Sequence, residues 1–222
     1  MKALLYKDFC VLKKVLRLYL LFFVLYGLMA AFSEDSDFLG GFLAGVLLVM
    51  AGMLPLTALA SDEQGNFGRF GQVLPMSLRA MVGEKYLLGF ISMAAGGGVS
   101  LFLLVAMELL HGGGFTGEML AAQLLAVGML VLACGVMLAV MLPLGFWLGV
   151  EKARLAVVGG SVVLILLVGF VVERGARYFQ LESGFVQQHF ALVALCAVAA
   201  VAALLAISFA AACRLYGKRE FS

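Results

Sequence analysis

Glu108 and His111 are the carboxylate–imidazole pair whose spacing is most suggestive of metal chemistry. On a helix, an E-x-x-H pair places both side chains on one face, as in the di-metal sites of helical bundles. Such a site needs a second pair and two further carboxylates, whereas His189 is the only other histidine. The missing ligands favour an acid and an imidazole that simply face water. We therefore predict no metal site.

Other reactive motifs are absent from the sequence. It contains no H-E-x-x-H or G-x-S-x-G arrangement, and no G-x-x-x-x-G-K-[ST] loop for ATP. Four cysteines lie in or beside apolar segments, which argues against a disulfide framework or a CxxC site: Cys10, Cys134, Cys196 and Cys213. We predict no enzyme activity, no catalytic residue and no cofactor in this chain. Any energy for uphill transport must then come from a partner.

The elements that carry these residues are predicted to be membrane helices. The sequence has 222 residues, of which 64% are hydrophobic and 13% charged, whereas a soluble domain has about 25% charged residues. Several uncharged runs reach the roughly 20 residues that cross a bilayer as a helix. Because lipid-exposed backbone must satisfy its own hydrogen bonds, we predict an all-α polytopic membrane protein. We assign six transmembrane helices, at residues 16–33, 39–60, 86–110, 119–148, 155–172 and 190–213.

Basic residues set the orientation of these spans. With the N-terminus inside, 13 of the 15 lysines and arginines lie on the cytoplasmic side, and Arg174 and Arg177 lie outside. Both termini are therefore predicted to be cytoplasmic. The first span lacks an A-x-A cleavage site, so we expect it to be retained. Few charges fall within the spans, which disfavours an ion-coupled carrier.

Residues 1–15 are predicted to form an interfacial helix. At helical spacing, Leu5, Phe9, Leu12 and Leu16 share one apolar face, and Lys7 lies opposite. Such a helix can lie on the inner leaflet before the chain enters the membrane. The alternative is that these residues are the start of the first span.

Small residues within the spans predict close contacts between helices. Gly41 and Gly45 form a GxxxG pair in the second span, and residues 96–98 are three consecutive glycines in the third. Small side chains let helix backbones approach closely in a membrane. We therefore expect both groups at helix–helix contacts.

The longest polar stretch, residues 61–86, reads SDEQGNFGRFGQVLPMSLRAMVGEKY. Ser61 and Gln64 fit a capping box at the start of a helix, and Phe67, Phe70 and Leu74 give that helix an apolar edge. We predict a short cytoplasmic helix over residues 61–76 that can fit a groove on a soluble partner. From composition alone, a loop lying on lipid headgroups is an equal alternative.

Three segments of the chain resemble small bacterial ABC-2 type transporter permeases. The run ALASDEQGNFGRFGQVLPMSLRAMVGEKYLLG resembles the family's first cytoplasmic loop, with its D-E pair, aromatic cluster, LP turn and KYLLG re-entry. KALLYKDFCVLKK resembles its opening, and LPLGFWLGVEKARLAVV resembles its second cytoplasmic turn. The sequence departs from the family after the D-E pair, where Asn66, Phe67 and Gly68 replace the usual Trp and Lys, and at LPMSLR. The chain looks closest to permeases that export antimicrobial or phenol-soluble modulin-like peptides.

The resemblance implies a permease in a bacterial plasma membrane. It would pair with a second copy of itself and with two ABC ATPase subunits, which bind ATP and Mg. Residues 61–76 would be the coupling helix that docks on the ATPase. The implied ATPase contacts are Asp62, Glu63, Gln64, Phe67, Arg69, Phe70, Glu151, Lys152 and Arg154. Kinks at Pro55 and Pro143 could transmit ATPase movement, although membrane helices also tolerate proline without any such role.

The resemblance also implies a substrate path for amphipathic peptides or other hydrophobic molecules. By family analogy, its lining residues are Tyr19, Phe22, Phe23, Tyr26 and Met53. The expected partners are thus the ATPase, a second permease copy, lipid and peptide, with no nucleic acid. The alternative function is a non-transporting immunity or scaffold protein that sequesters a membrane-active peptide.

Overall fold

The computed structural model describes residues 2–31, 36–65, 77–110, 116–155 and 190–218. All secondary structure in these ranges is helical, which agrees with the predicted fold class. The helices are α1 (Lys2–Ala31), α2 (Ser36–Gly52), α3 (Leu54–Gln64), α4 (Leu78–Leu110), α5 (Gly117–Leu148) and α6 (Phe190–Lys218). A short helical segment follows α5 at residues 150–155.

Four stretches of the described chain are long and apolar enough to cross a membrane. They are Gly40–Gln64, Arg79–Leu110, Met119–Leu148 and Ala194–Gly217. They correspond to the second, third, fourth and sixth predicted spans. The predicted first span falls largely in α1, which is not among the four, and nearly all of the predicted fifth span lies outside the described residues. Six spans therefore stay a prediction.

The second predicted span contains a break at Met53, between α2 and α3. Pro55 has no backbone N–H to donate to the carbonyl of Ala51, so α2 cannot continue regularly through it. Met53 N instead donates to both Val49 O (3.1 Å) and Met50 O (3.2 Å), and α3 begins with proline in its first turn. Pro143, in contrast, lies inside α5, which is assigned as one helix. Of the two prolines, only Pro55 coincides with a helix break.

α5 has a defined start and end. The side chain of Thr116 caps it by accepting a hydrogen bond from Met119 N at 3.3 Å, as threonine commonly does at a helix N-cap. At the other end Gly149 adopts φ 88°, a conformation that glycine reaches without the steric cost of a Cβ atom. The chain changes direction there and enters the segment 150–155.

The most extensive packing in the described chain is that of α2 against α4 and of α5 against α6. A Cβ atom on Gly96 would lie 2.6 Å from Ala51 Cβ, so this glycine allows α2 and α4 to touch. The prediction for the GxxxG pair is wrong within the described chain, because a Cβ on Gly41 or Gly45 would meet nothing within 4 Å. The contact that brings α2 and α4 together lies further along both helices.

The N-terminal residues lie in a longer helix than the predicted segment 1–15, and their position at the membrane interface stays a prediction. Residues 2–31 form one continuous helix, and its buried side chains include Leu4, Asp8 and Leu12. Of the predicted apolar face, Leu12 is buried and Leu5 packs on the same cluster, whereas Phe9 and Leu16 are exposed. Leu12 packs with Leu54, Ala58 and Leu88 of α3 and α4, so this part of α1 packs on other helices.

The polar stretch 61–86 also differs from its prediction. Ser61 to Gln64 form the last turn of α3, and Gly65 N donates to Ser61 O at 3.0 Å. Ser61 therefore caps no new helix. At the other end of the stretch, α4 begins at Leu78 and is capped by Ser77, whose hydroxyl accepts a hydrogen bond from Ala80 N at 3.3 Å. Residues 66–76, with most of the predicted coupling helix, lie outside the described residues.

Candidate functional site

Five ionisable side chains meet where α1, α3 and the first turns of α4 come together. We call Lys7, Asp8, Asp62, Glu84 and Lys85 the charged cluster. By the orientation predicted from the sequence, it lies at the cytoplasmic end of the helices. Asp8, Glu84 and Lys85 are each at least 97% buried. Charges at such depth are normally paired, and here the pairs link three separate helices.

The two lysines are shared between the carboxylates. Lys85 Nζ forms ion pairs with Asp8, with Asp62 Oδ2 at 2.7 Å and with Glu84 Oε2 at 3.5 Å. Lys7 Nζ forms ion pairs with Asp62 and with Asp8 Oδ1 at 3.2 Å. Asp8 and Asp62 therefore each contact both lysines, which fixes α1 on the ends of α3 and α4.

The electrostatic surroundings of Asp8 favour its charged form. Burial alone would raise the pKa of the Asp8 carboxyl, but a hydrogen bond with Glu84 and the positive charges of Lys85 and Lys7 outweigh this effect. The pKa of Asp8 is consequently held below its usual value. Asp8 is therefore an anion at neutral pH, although almost none of its surface reaches water.

A hydrogen bond joins the end of α3 to the segment after α5. Glu63 Oε2 accepts a hydrogen bond from Val150 N at 2.9 Å. Val150 and Ala153 are buried, whereas Glu151, Lys152 and Arg154 are exposed. The end of α3 and segment 150–155, both assigned to ATPase contact by the resemblance, thus touch each other, and the second of them exposes three charged side chains.

The predicted ATPase contacts fall into three groups. Gln64, Glu151, Lys152 and Arg154 are exposed. Asp62 and Glu63 are partly buried and hold other parts of the chain, through the charged cluster and through Val150. Phe67, Arg69 and Phe70 lie outside the described residues. Contact of any of these residues with an ATPase stays a prediction.

An apolar groove of about 600 Å³ lies between α1, α2 and α4. The side chains that line it include Phe9, Tyr19, Phe23 and Phe102. None of its described lining residues is charged, and Tyr19 and Ser92 alone among them carry a hydroxyl group. An aliphatic or aromatic ligand could be buried there without desolvating a protein charge.

The groove contains part of the predicted substrate path. Tyr19 and Phe23 line it. Phe22 is 39% exposed, and Met53 packs on the main hydrophobic core; neither lines the groove. The side chain of Tyr26 lies outside the described part of the structure. The role of all five residues in substrate passage stays a prediction.

Glu108, the acid of the E-x-x-H pair, accepts a hydrogen bond from a glutamine side chain. Gln123 Nε2 donates to Glu108 Oε2 across 3.5 Å between α4 and α5. His111, the other member of the pair, lies outside the described residues. Within the described ranges, no group of three or more histidine, cysteine or acidic side chains is arranged to hold a metal ion.

Sequence reasoning missed Lys7, Asp8, Glu84 and Lys85 as a group. Lys7 and Asp8 are separated from Glu84 and Lys85 by about 77 residues, so no local motif joins them. One signal was available: Asp8 lies at helical spacing between Leu4 and Leu12, on a line of residues that must face the protein. An acid on that line requires a buried partner.

Comparison with protein families places the whole described structure in one class. The ABC-2 family transporter protein family matches residues 3–217. The chain therefore belongs to the ABC-2 transporter family, and it is a multi-pass membrane permease subunit of an ABC transporter. No curated protein and no solved structure matches it. Membership of this family implies that the chain works with an ABC ATPase.

Proposed function

We propose that this permease exports amphipathic peptides or other hydrophobic molecules across a bacterial plasma membrane, with both of its termini in the cytoplasm. Two ABC ATPase subunits would supply ATP hydrolysis, and a second copy of the chain would complete the pathway. The observation that carries the proposal is the hydrogen bond between Glu63 and Val150. It unites two segments that are far apart in sequence into one surface on which an ATPase can act.

This surface is mechanically connected to the groove. A movement of segment 150–155 reaches the end of α3 through Glu63. From there, Asp62 is tied by Lys7 to α1 and by Lys85 to α4. Since α1 and α4 form walls of the apolar groove, an ATPase that displaces the end of α3 would alter the separation of those walls. This path provides a physical route from ATP hydrolysis to substrate.

The chemistry of the groove supports the substrate class. Its lining is uncharged and rich in aromatic side chains, which favours an apolar helix face or an acyl chain through burial of nonpolar surface. The described lining residues of the groove include no counter-ion for a small hydrophilic ion. An amphipathic peptide could bury its apolar face there and keep its polar face toward water or headgroups.

Docking is tested by co-purification with the ABC ATPase of the same transporter. We expect the double substitution Glu151→Lys and Arg154→Glu to reduce the amount of ATPase retained, because it reverses two of the three exposed charges of segment 150–155 while keeping the net charge. The matched control is Arg214→Glu, at an exposed position on α6. Equal retention by the double variant and the wild type would contradict docking at segment 150–155.

The substrate class is tested by ATPase activity of the reconstituted transporter with amphipathic peptides. We expect peptides to change the rate and Ala95→Phe to weaken that response, because Ala95 lines the groove and a larger side chain would fill it. Ala199→Phe, at an exposed position on α6, is the control. A rate that no peptide alters would contradict peptide export, while leaving the ATPase partnership intact.

A further inference from the structure

The charged cluster contains one more acid than base. Three carboxyl groups, of Asp8, Asp62 and Glu84, face the two ammonium groups of Lys7 and Lys85. With every group ionised, the cluster would carry a net charge of −1 in a place where Asp8, Glu84 and Lys85 are almost fully buried. An uncompensated buried charge is strongly unfavourable and is usually removed by protonation.

Glu84 is the least neutralised of the three acids. Among the described residues, Asp8 and Asp62 each form ion pairs with both lysines, whereas Glu84 forms one with Lys85 alone, at 3.5 Å. Among the described residues, Glu84 Oε1 is buried and has no hydrogen-bond partner. Glu84 also lines a small cavity of about 30 Å³ together with Asp62, Lys85 and Tyr216. The described surroundings thus offer Glu84 a single cationic donor, Lys85, which is fewer than an ionised carboxylate normally binds.

The lysine that Glu84 and Asp8 share identifies where a proton can be held. Lys85 Nζ contacts both Asp8 and Glu84 Oε2, and two carboxyl groups brought this close are more favourable when one of them carries a proton. Asp8 has both lysines beside it and is better stabilised as the anion. Glu84 is consequently the acid that carries the proton, and Asp8 is the anion toward which it can donate.

We propose that the charged cluster is a proton-binding site, in which one proton is held on Glu84, bonds to Asp8, and locks the N-terminal part of α1 against α3 and α4. The proton is taken from water when α1 packs on α3 and α4 and returns to water when α1 separates. With the proton bound, the net charge of the cluster is zero. This inference goes beyond the proposed export function and does not depend on it.

Four of the described helices contribute ionisable groups that face Glu84. α1 contributes Lys7 and Asp8, α3 contributes Asp62, α4 contributes Lys85, and α6 contributes the Tyr216 phenol that lines the cavity. From the end of α5 the cavity receives Phe146, which does not titrate. Within this set, Glu84 is the acid with the weakest ionic compensation.

The test is infrared spectroscopy of the full-length permease at neutral pH, with and without 13C-labelled glutamate. A protonated carboxyl has a C=O stretching band that an ionised carboxylate lacks. We expect such a band in the wild type, shifted by the glutamate label and absent from Glu84→Gln. Because a glutamine can still donate a hydrogen bond to Asp8, we expect this variant to fold. The control Glu108→Gln should retain the band.

A second variant tests whether the excess of carboxyl groups over lysines is what causes the protonation. Asp8→Asn leaves two carboxyl groups for two lysines, so Glu84 should ionise and the labelled band should disappear although Glu84 is still present. Absence of the band from the wild type would overturn the proposal. Persistence of the full band in Glu84→Gln would also overturn it, since the proton would then be held elsewhere. None of these results involves the ATPase or a substrate, so failure here is separable from failure of the export proposal.

The free energy of unfolding should depend on pH through the same proton. If the folded chain binds one proton more than the unfolded chain, its free energy of unfolding falls as pH rises. We expect the thermal unfolding midpoint of the wild type in detergent to decrease over the pH range in which the labelled band disappears. The midpoint of Glu84→Gln should change less over the same pH range. Parallel profiles for the two proteins would contradict a proton that locks α1 in place.

Discussion

Lys85 and Tyr86 are neighbours on α4, yet they connect this helix to different parts of the protein by different forces. Lys85 binds carboxylates of α1 and α3 through charge. Tyr86 makes a neutral connection to α6 and α5: its hydroxyl lies 2.5 Å from Ser208 Oγ, which lies 2.5 Å from Ala139 O. Because Ser208 donates its proton to the carbonyl, Tyr86 donates to Ser208.

The charged contact of Lys85 can respond to a change of pH, whereas the neutral contact of Tyr86 cannot. Ion pairs change with protonation and require every partner to be present, whereas hydroxyl hydrogen bonds keep their form over the physiological pH range. The Tyr86 ring also packs edge-to-face on Phe209, at 5.5 Å and 84°. α4 is therefore held to α5 and α6 by a fixed neutral contact, and to α1 and α3 by a charged contact that can open.

The largest effect is expected from Lys85→Met, which removes the cation shared by three carboxyl groups. Buried charges without a partner cost about 3–5 kcal/mol, so we expect a loss of that order in the free energy of unfolding in mixed micelles. Lys152→Met, at an exposed position, should change it by less than about 0.5 kcal/mol. Equal stabilities for the two variants would show that the charged contact does not hold α1.

Gly89→Ala should produce the next largest effect, because Gly89 lies one turn beyond both contacts. A Cβ atom there would approach Leu138 Cδ1 to 2.8 Å and Pro55 Cγ to 3.2 Å. Overpacking of this kind costs about 1–3 kcal/mol, measured as the free energy of unfolding. Gly98→Ala, where a Cβ would meet nothing within 4 Å, is the matched control and should not destabilise. An equal response at both positions would refute close packing at Gly89.

Tyr86→Phe should have a smaller effect, because it removes one hydrogen bond and keeps the ring. The expected loss is about 0.5–1.5 kcal/mol in the free energy of unfolding, while Ser208 still bonds to Ala139 O. Tyr6→Phe, at an exposed position, should be neutral. A loss as large as that of Lys85→Met would mean that the neutral contact is not the weaker one.

The smallest effect is expected from low pH, which should weaken the charged contact and leave the neutral contact unchanged. The folded-state pKa of Asp8 is lowered, so its ionic contribution is complete above the unfolded value of about 3.9. That contribution is lost as pH falls through the folded pKa. We therefore expect the difference in unfolding midpoint between wild type and Asp8→Asn to shrink below about pH 4. The difference between wild type and Tyr86→Phe should stay constant, and a parallel decline of both would contradict the assignment to Asp8.

Much of the helical framework could be predicted because it depends on local composition. Met119–Leu148 coincides with the predicted fourth span, and Pro55 marks the break before α3 since its missing N–H is a local property. The start of α4 was placed eight residues late, at Tyr86. Glu84 and Lys85 read as loop residues because their charges suggest water, and only their distant partners make burial possible.

The sequence by itself determined that this chain is an α-helical membrane protein, because bilayer crossing requires long apolar runs and internally bonded backbone. It also carried the resemblance that the family match over residues 3–217 confirms at the family level. Only the tertiary structure decided which charges meet. Asp8 and Lys85 are 77 residues apart, and Glu63 and Val150 are 87 apart. Such pairs arise when helices pack, since the position of a side chain in space depends on the whole fold and not on its neighbours in sequence.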